Sequence, residues 1–167
     1  MGRIGSTGQG LSLPALVGSG VTLVVALLTR ASTGSPLVAV HKLNALEVLP
    51  PLWLLGVLWL CAYALLGGAT GYLLGRPVGG GRNEALLWRG AAFLVLTVAL
   101  SLVWYTLLFG KLCVFPAWLC LPLSATAALI CTLSWWRLCR GAALITAGFA
   151  LWQVAVFLMQ LCVMLCL

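Results

Sequence analysis

Charge is what this sequence has least of. Of its 167 residues only 7% are Asp, Glu, Lys or Arg, against roughly 25% in a soluble domain. Asp is missing altogether, the acids are Glu47 and Glu84, and His41 is the sole histidine. So small a polar complement cannot cover a chain of this size with water-compatible surface, which excludes a soluble enzyme. The apolar share of 63% excludes a disordered chain, whose composition runs the other way. Without Asp no Ser/His/Asp triad can be assembled. No acid falls inside an apolar run, where a proton relay or coupled transporter would carry one. The net charge of +7 comes from basic residues too scattered to neutralise several phosphates, so nucleic acid is excluded as a partner. No ordinary enzyme class is written here.

Apolar length is what the chain has instead. Residues 11–29, 48–75, 90–110, 112–136 and 141–167 carry no Asp, Glu, Lys or Arg. A helix needs about 20 apolar residues to cross a hydrocarbon core. Backbone groups in lipid must pair internally, and the alternation of a membrane barrel is absent, so the spans are helices. The expected fold is an all-α integral membrane protein, a five-transmembrane-helix bundle forming a single domain over 1–167. Its spans are approximately 11–29, 50–75, 86–110, 113–135 and 141–166, with a long polar first loop at 30–49. The later connections are short, which makes successive helices antiparallel neighbours. Gly79-Gly80-Gly81 has no Gly-Lys-Ser/Thr after it and no strand before it, so it is a linker and not a phosphate loop.

Lys and Arg divide unevenly between the two sides. Arg3, Arg76, Arg82, Arg89, Arg137 and Arg140 fall with the N-terminus, and Arg30, Lys42 and Lys111 with the first and third loops. That bias favours a cytosolic N-terminus. A cleaved signal peptide, processed around Ala31–Ser35, is the alternative for the first segment, although its apolar run exceeds a usual h-region. Gly2 and Ser6 fit the loose myristoylation pattern, but a lipid adds little to five spans.

Seven cysteines contain no Cys-x-x-Cys, and Cys61, Cys113, Cys120, Cys131, Cys139, Cys162 and Cys166 lie mostly within apolar helices. They read as small packing residues; no metal site is expected. Cys113 and Cys139, near helix ends, are candidates for palmitoylation. The eight tryptophans say more. Trp88, Trp118, Trp135 and Trp136 sit near helix ends and fit membrane interfaces. Trp53, Trp59, Trp104 and Trp152 lie within spans. Trp59 and Tyr63 share one helix face at i and i+4, as do Phe149 and Trp152 at i and i+3. Such rings serve either lipid contact and packing or a ligand pocket. No polar stripe is evident along the spans, which argues against a channel.

From Pro50 to Gly67 the chain reads Pro50-Pro51-Leu52-Trp53, then Gly56, Trp59, Tyr63 and Gly67. This resembles the translocator-protein family (TspO/MBR, the peripheral-type benzodiazepine receptors), whose second helix opens P-P-x-W-x-x-G-x-x-W-x-x-x-Y-x-x-x-G. Ser101-Leu-Val-Trp104 through Phe109-Gly110 looks like the third-helix N-x-x-W…F-F-G, with Ser101 for Asn and Leu108 for the first Phe. Phe149-Ala-Leu-Trp152 looks like the fifth-helix Y-x-x-W, with Gly148 where the family has Pro. The resemblance spans about the whole chain. The first loop departs from it: Leu43–Leu49 lacks the family's Lys-Pro and Trp. The acidic residue usual in the fourth helix is replaced near Pro122. The fifth helix ends without the Tyr and Arg of the cholesterol-recognition pattern.

The resemblance implies a five-helix receptor, often a homodimer, that binds a porphyrin (tetrapyrrole), a sterol or an aromatic drug-like molecule in a hydrophobic cavity. Trp59 and Trp152 fall on the two tryptophans linked in the family to tetrapyrrole binding and its light-dependent breakdown. Trp53, Tyr63, Trp104 and Phe149 would line or brace the same cavity. No cofactor is required; membrane lipid and a hydrophobic small molecule are the expected partners. The family sits in the mitochondrial outer membrane or a bacterial outer or cell membrane, usually with a cytosolic C-terminus, against the charge count. The alternative is a structural or regulatory membrane subunit that keeps the fold without the ligand. Small residues Gly56, Gly67, Gly68 and Gly71 let helices or subunits approach closely.

Overall fold

The computed structural model describes residues 13–33, 52–76 and 80–166. The first-loop motif with His41, Lys42 and Glu47, the paired prolines Pro50 and Pro51, Gly79, and the N-terminal residues Gly2, Arg3 and Ser6 lie outside the described residues. Five helices follow one another: α1 (Leu13–Thr33), α2 (Leu52–Leu74), α3 (Arg82–Tyr105), α4 (Val114–Trp135) and α5 (Arg140–Cys166). Each is long and apolar enough to cross a membrane. The protein is a multi-pass, all-α membrane bundle.

Two boundaries lie beyond the charge-free runs for local reasons. α1 continues to Thr33, and the hydroxyls of its polar end are satisfied on the preceding turn: Thr29 Oγ1 donates to Val25 O at 2.9 Å and Ser32 Oγ to Thr29 O at 2.9 Å. α3 begins at Arg82 and not near 86. Glu84 in its first turn complements the positive end of the helix dipole. At its far end α3 widens into a π-turn over Thr106–Gly110. There Lys111 N–H returns to Thr106 O at 3.1 Å, and Leu112 takes a φ of 54° to enter α4.

Three helices interlock with a coiled-coil rhythm. The buried positions of α3 include Leu87, Gly90, Leu94, Thr97, Ser101 and Trp104, with Leu108 following in the π-turn. Those of α4 include Ala117, Leu121, Ser124, Ala128, Cys131 and Trp135, and those of α5 Ala142, Thr146, Phe149, Gln153, Val156 and Gln160. Steps alternating three and four keep one seam facing its neighbours in a left-handed bundle. α4 sits between α3 and α5, and its Ala, Ser and Cys positions let both approach.

α1 and α2 form a separate, tighter pair. A Cβ on Gly67 would overlap the Gly18 carbonyl oxygen, and one on Gly71 would overlap that of Pro14. Without side chains there the two backbones touch. The contact is sealed by Ser19 Oγ donating to Ala64 O and Thr22 Oγ1 donating to Tyr63 O, both at 2.8 Å. Gly67 and Gly71 therefore serve packing within the chain. Ala15 is the one buried residue of α1 among the described residues; Leu16, Val17, Val21 and Leu28 face outward.

The bundle is antiparallel throughout, since Pro14 meets Gly71 and Trp135 meets Leu87. One end thus gathers Arg76, Arg82, Arg89, Arg137 and Arg140, all exposed, while Arg30 and Lys111 lie at the other.

Candidate functional site

Where α2 faces α5 and α3, backbones approach less closely than in the α1–α2 pair or between α4 and its two neighbours, and aromatic rings fill the gap. Trp59 lies at the centre. It stacks on Tyr63 at 5.5 Å between centroids and on Trp104 at 5.4 Å. It meets Phe149 and Trp152 edge-on, at 6.1 and 6.2 Å. Tyr63 closes the group against Phe149 at 6.1 Å. These are the offset-stacked and edge-to-face geometries that aromatic quadrupoles favour, each worth about 0.5–1.5 kcal/mol beyond area burial. Three helices each contribute by simple periodicity: i and i+4 on α2, i and i+3 on α5, and the seam position Trp104 on α3.

Trp53 stands apart. It is 70% exposed and makes no part of this cluster. Six residues separate it from Trp59, which turns it roughly 120° away around the helix. With Phe115 it sits at one end of the bundle, and Trp88 and Trp136 sit exposed at the other, the two levels at which rings meet lipid headgroups. Trp135 departs from the interface reading in the opposite direction. It is fully buried, its indole lies over Gly90, and its Nε1 donates to Leu87 O at 3.3 Å. Trp118 is half-buried and stacks on Phe157 at 4.8 Å.

Beside the rings runs a polar seam that the composition hid. Gln153 is fully buried; its Nε2 donates to Ser101 Oγ at 2.6 Å and to Ser124 Oγ at 3.1 Å. The two hydroxyls are 3.0 Å apart, and each also donates to Thr97 O. Tyr63 reaches this node through its contact with Ser101. Farther along α5, Gln160 Oε1 accepts the Trp104 indole N–H at 2.7 Å, while its Nε2 donates to Val114 O at 2.9 Å. The bonding is internal and joins α3, α4 and α5, so the seam staples these helices together. Two buried atoms beside the cluster lack partners, Trp152 Nε1 and Gln153 Oε1. Charge stays at the margin: the Arg30 guanidinium lies over Gly56, one turn of α2 from Trp59.

Gln153 and Gln160 are the residues that sequence reasoning missed. Their spacing of seven, two turns on one face of an otherwise apolar span, is the signal that could have found them. No family model matches this chain, and neither do curated proteins or solved structures. Fold and site define a five-helix membrane bundle with an aromatic centre backed by a buried amide–hydroxyl seam.

Proposed function

We propose that the chain is a membrane receptor of the translocator-protein type that takes a flat hydrophobic ligand, a porphyrin or a sterol, between the rings of α2, α3 and α5. The observation that carries this reading is the convergence of Trp59, Tyr63, Trp104, Phe149 and Trp152 from three helices onto one centre. Rings already spaced for stacking can exchange a neighbour for a flat ligand at little cost in contact. The orphan Trp152 N–H and Gln153 carbonyl give such a ligand polar groups to meet. Arg30 gives a porphyrin carboxylate a counter-charge near the edge of the cluster. A mitochondrial or bacterial membrane, a homodimer and light-dependent tetrapyrrole breakdown follow from the same resemblance.

A second reading has its own support. The rings satisfy one another, and the Trp104 indole is already bonded to Gln160, as suits a structural subunit with no ligand. Intrinsic fluorescence of the detergent-purified protein, titrated with protoporphyrin IX, separates the two. Saturable quenching at micromolar ligand, lost in a Trp59→Phe, Trp152→Phe double variant, is expected. Linear quenching that ignores the substitutions would reduce the signal to micelle partition and leave the structural reading in possession.

A further inference from the structure

At the end of the bundle where α3 and α5 begin and α4 stops, three arginines share one corner. Trp135 holds the corner together: its Nε1 reaches Leu87 O, and its own carbonyl accepts the N–H groups of Leu138 and Cys139, both at 2.9 Å. Leu87, Trp135, Ala142 and Ala143 belong to one buried cluster. Arg89 therefore sits on the turn of α3 that Trp135 covers, and Arg137 and Arg140 on the short turn that follows it. All three are exposed, as are the flanking Trp88 and Trp136. Glu84, the one acid among the described residues, lies in the preceding turn of α3.

We propose that this corner is a binding site for the headgroup of an anionic phospholipid. Three fixed positive charges attract a headgroup of net negative charge, whereas a zwitterionic headgroup carrying the same phosphate is drawn far less. The exposed indoles fix the height of the corner at the headgroup level. Basic pockets between transmembrane helices at this depth are the usual receptors for acidic headgroups. The first turn of α5 begins at Arg140 and adds the positive end of its dipole to the same spot. The membrane itself supplies the partner, since the chain spans it and the corner lies where headgroups are densest. Each arginine strengthens attraction to an acidic surface about fivefold.

The test uses the full chain reconstituted in phosphatidylcholine vesicles containing brominated phosphatidylglycerol or, at the same mole fraction, brominated phosphatidylcholine. Tryptophan quenching is read for each. Stronger quenching by the acidic lipid is expected, weakening with added salt and with each single Arg→Gln substitution by up to about fivefold in relative affinity. An Arg89→Gln, Arg137→Gln, Arg140→Gln triple variant should bring the two lipids to parity, while the corresponding triple Lys variant keeps the preference. Equal quenching in the unmodified protein overturns the proposal. So does a preference that survives salt, that survives the triple Gln substitution with the helical content intact, or that is lost in a folded triple Lys variant. Inorganic phosphate at matched ionic strength should leave the preference unchanged; its abolition by phosphate would make the corner a soluble-anion site and overturn the lipid assignment.

Discussion

Replacing Gly67 by valine drives a side chain into space that α1 already occupies. A Cβ at this position would overlap the Gly18 carbonyl oxygen and Thr22 Oγ1, and neither backbone nor a one-carbon hydroxyl arm can swing aside. α1 has to retreat from α2, stretching the Ser19–Ala64 and Thr22–Tyr63 bonds, both 2.8 Å. Interhelical bonds in membrane proteins average about 0.6 kcal/mol and reach about 1.7. Overpacking adds about 1–3 kcal/mol. The variant should therefore lose about 2–4 kcal/mol of stability. Titration with sodium dodecyl sulfate in mixed micelles, followed by circular dichroism and fluorescence, measures it. Gly148→Val is the paired control, because a Cβ there meets nothing within 4 Å. A Gly67→Val protein within about 0.5 kcal/mol of the original, the range of ordinary surface substitutions, would refute the backbone contact. Equal losses in both variants would refute it too, since they would signal a general intolerance of valine.

Trp104→Phe should leave the Gln160 carbonyl without a donor and cost about 1–3 kcal/mol in the same titration; Gln160→Leu orphans the indole N–H instead and should cost a similar amount. Gln153→Leu removes the group that ties Ser101 to Ser124, and should lower cooperativity of unfolding as well as stability. Trp53→Phe should leave the protoporphyrin titration midpoint unchanged, because the ring faces outward; a shift beyond about threefold would bring Trp53 back into the site. Cys113 is exposed and Cys131 fully buried, so a maleimide should modify the first within minutes and the second only after unfolding, as mass spectrometry of timed samples would show.

The spans are legible in the sequence because lipid imposes a crude rule, an unbroken apolar run of sufficient length, and the chain obeys it between its arginines. Trp59 with Tyr63, and Phe149 with Trp152, are legible for an equally local reason: each pair occupies one face of one helix. Trp53 fails that same rule, since helical periodicity alone already turns it away from Trp59. No local rule places Trp135. A tryptophan at a helix end reads as an interface ring until a glycine on another helix, Gly90, makes room for it in the core. The polar seam escapes for a similar reason. Thr97, Ser101 and Ser124 look ordinary singly in apolar helices, and only the approach of α5 brings Gln153 between them.

The two kinds of joint in this bundle also differ in how they yield. α1 and α2 meet through glycine backbones, and α3, α4 and α5 through alternating knobs and directed hydrogen bonds; either contact is lost abruptly when displaced. Between these units stand flat ring faces toward one end, whose attraction changes slowly as one ring slides over another, and Leu66, Ala69 and Leu73 of α2 packed into the core toward the other. Sliding one ring over another costs less contact than prising apart the glycine-backed pair or the hydrogen-bonded seam. The aromatic end of the joint is thus the part of the bundle that can give way without breaking a directed bond.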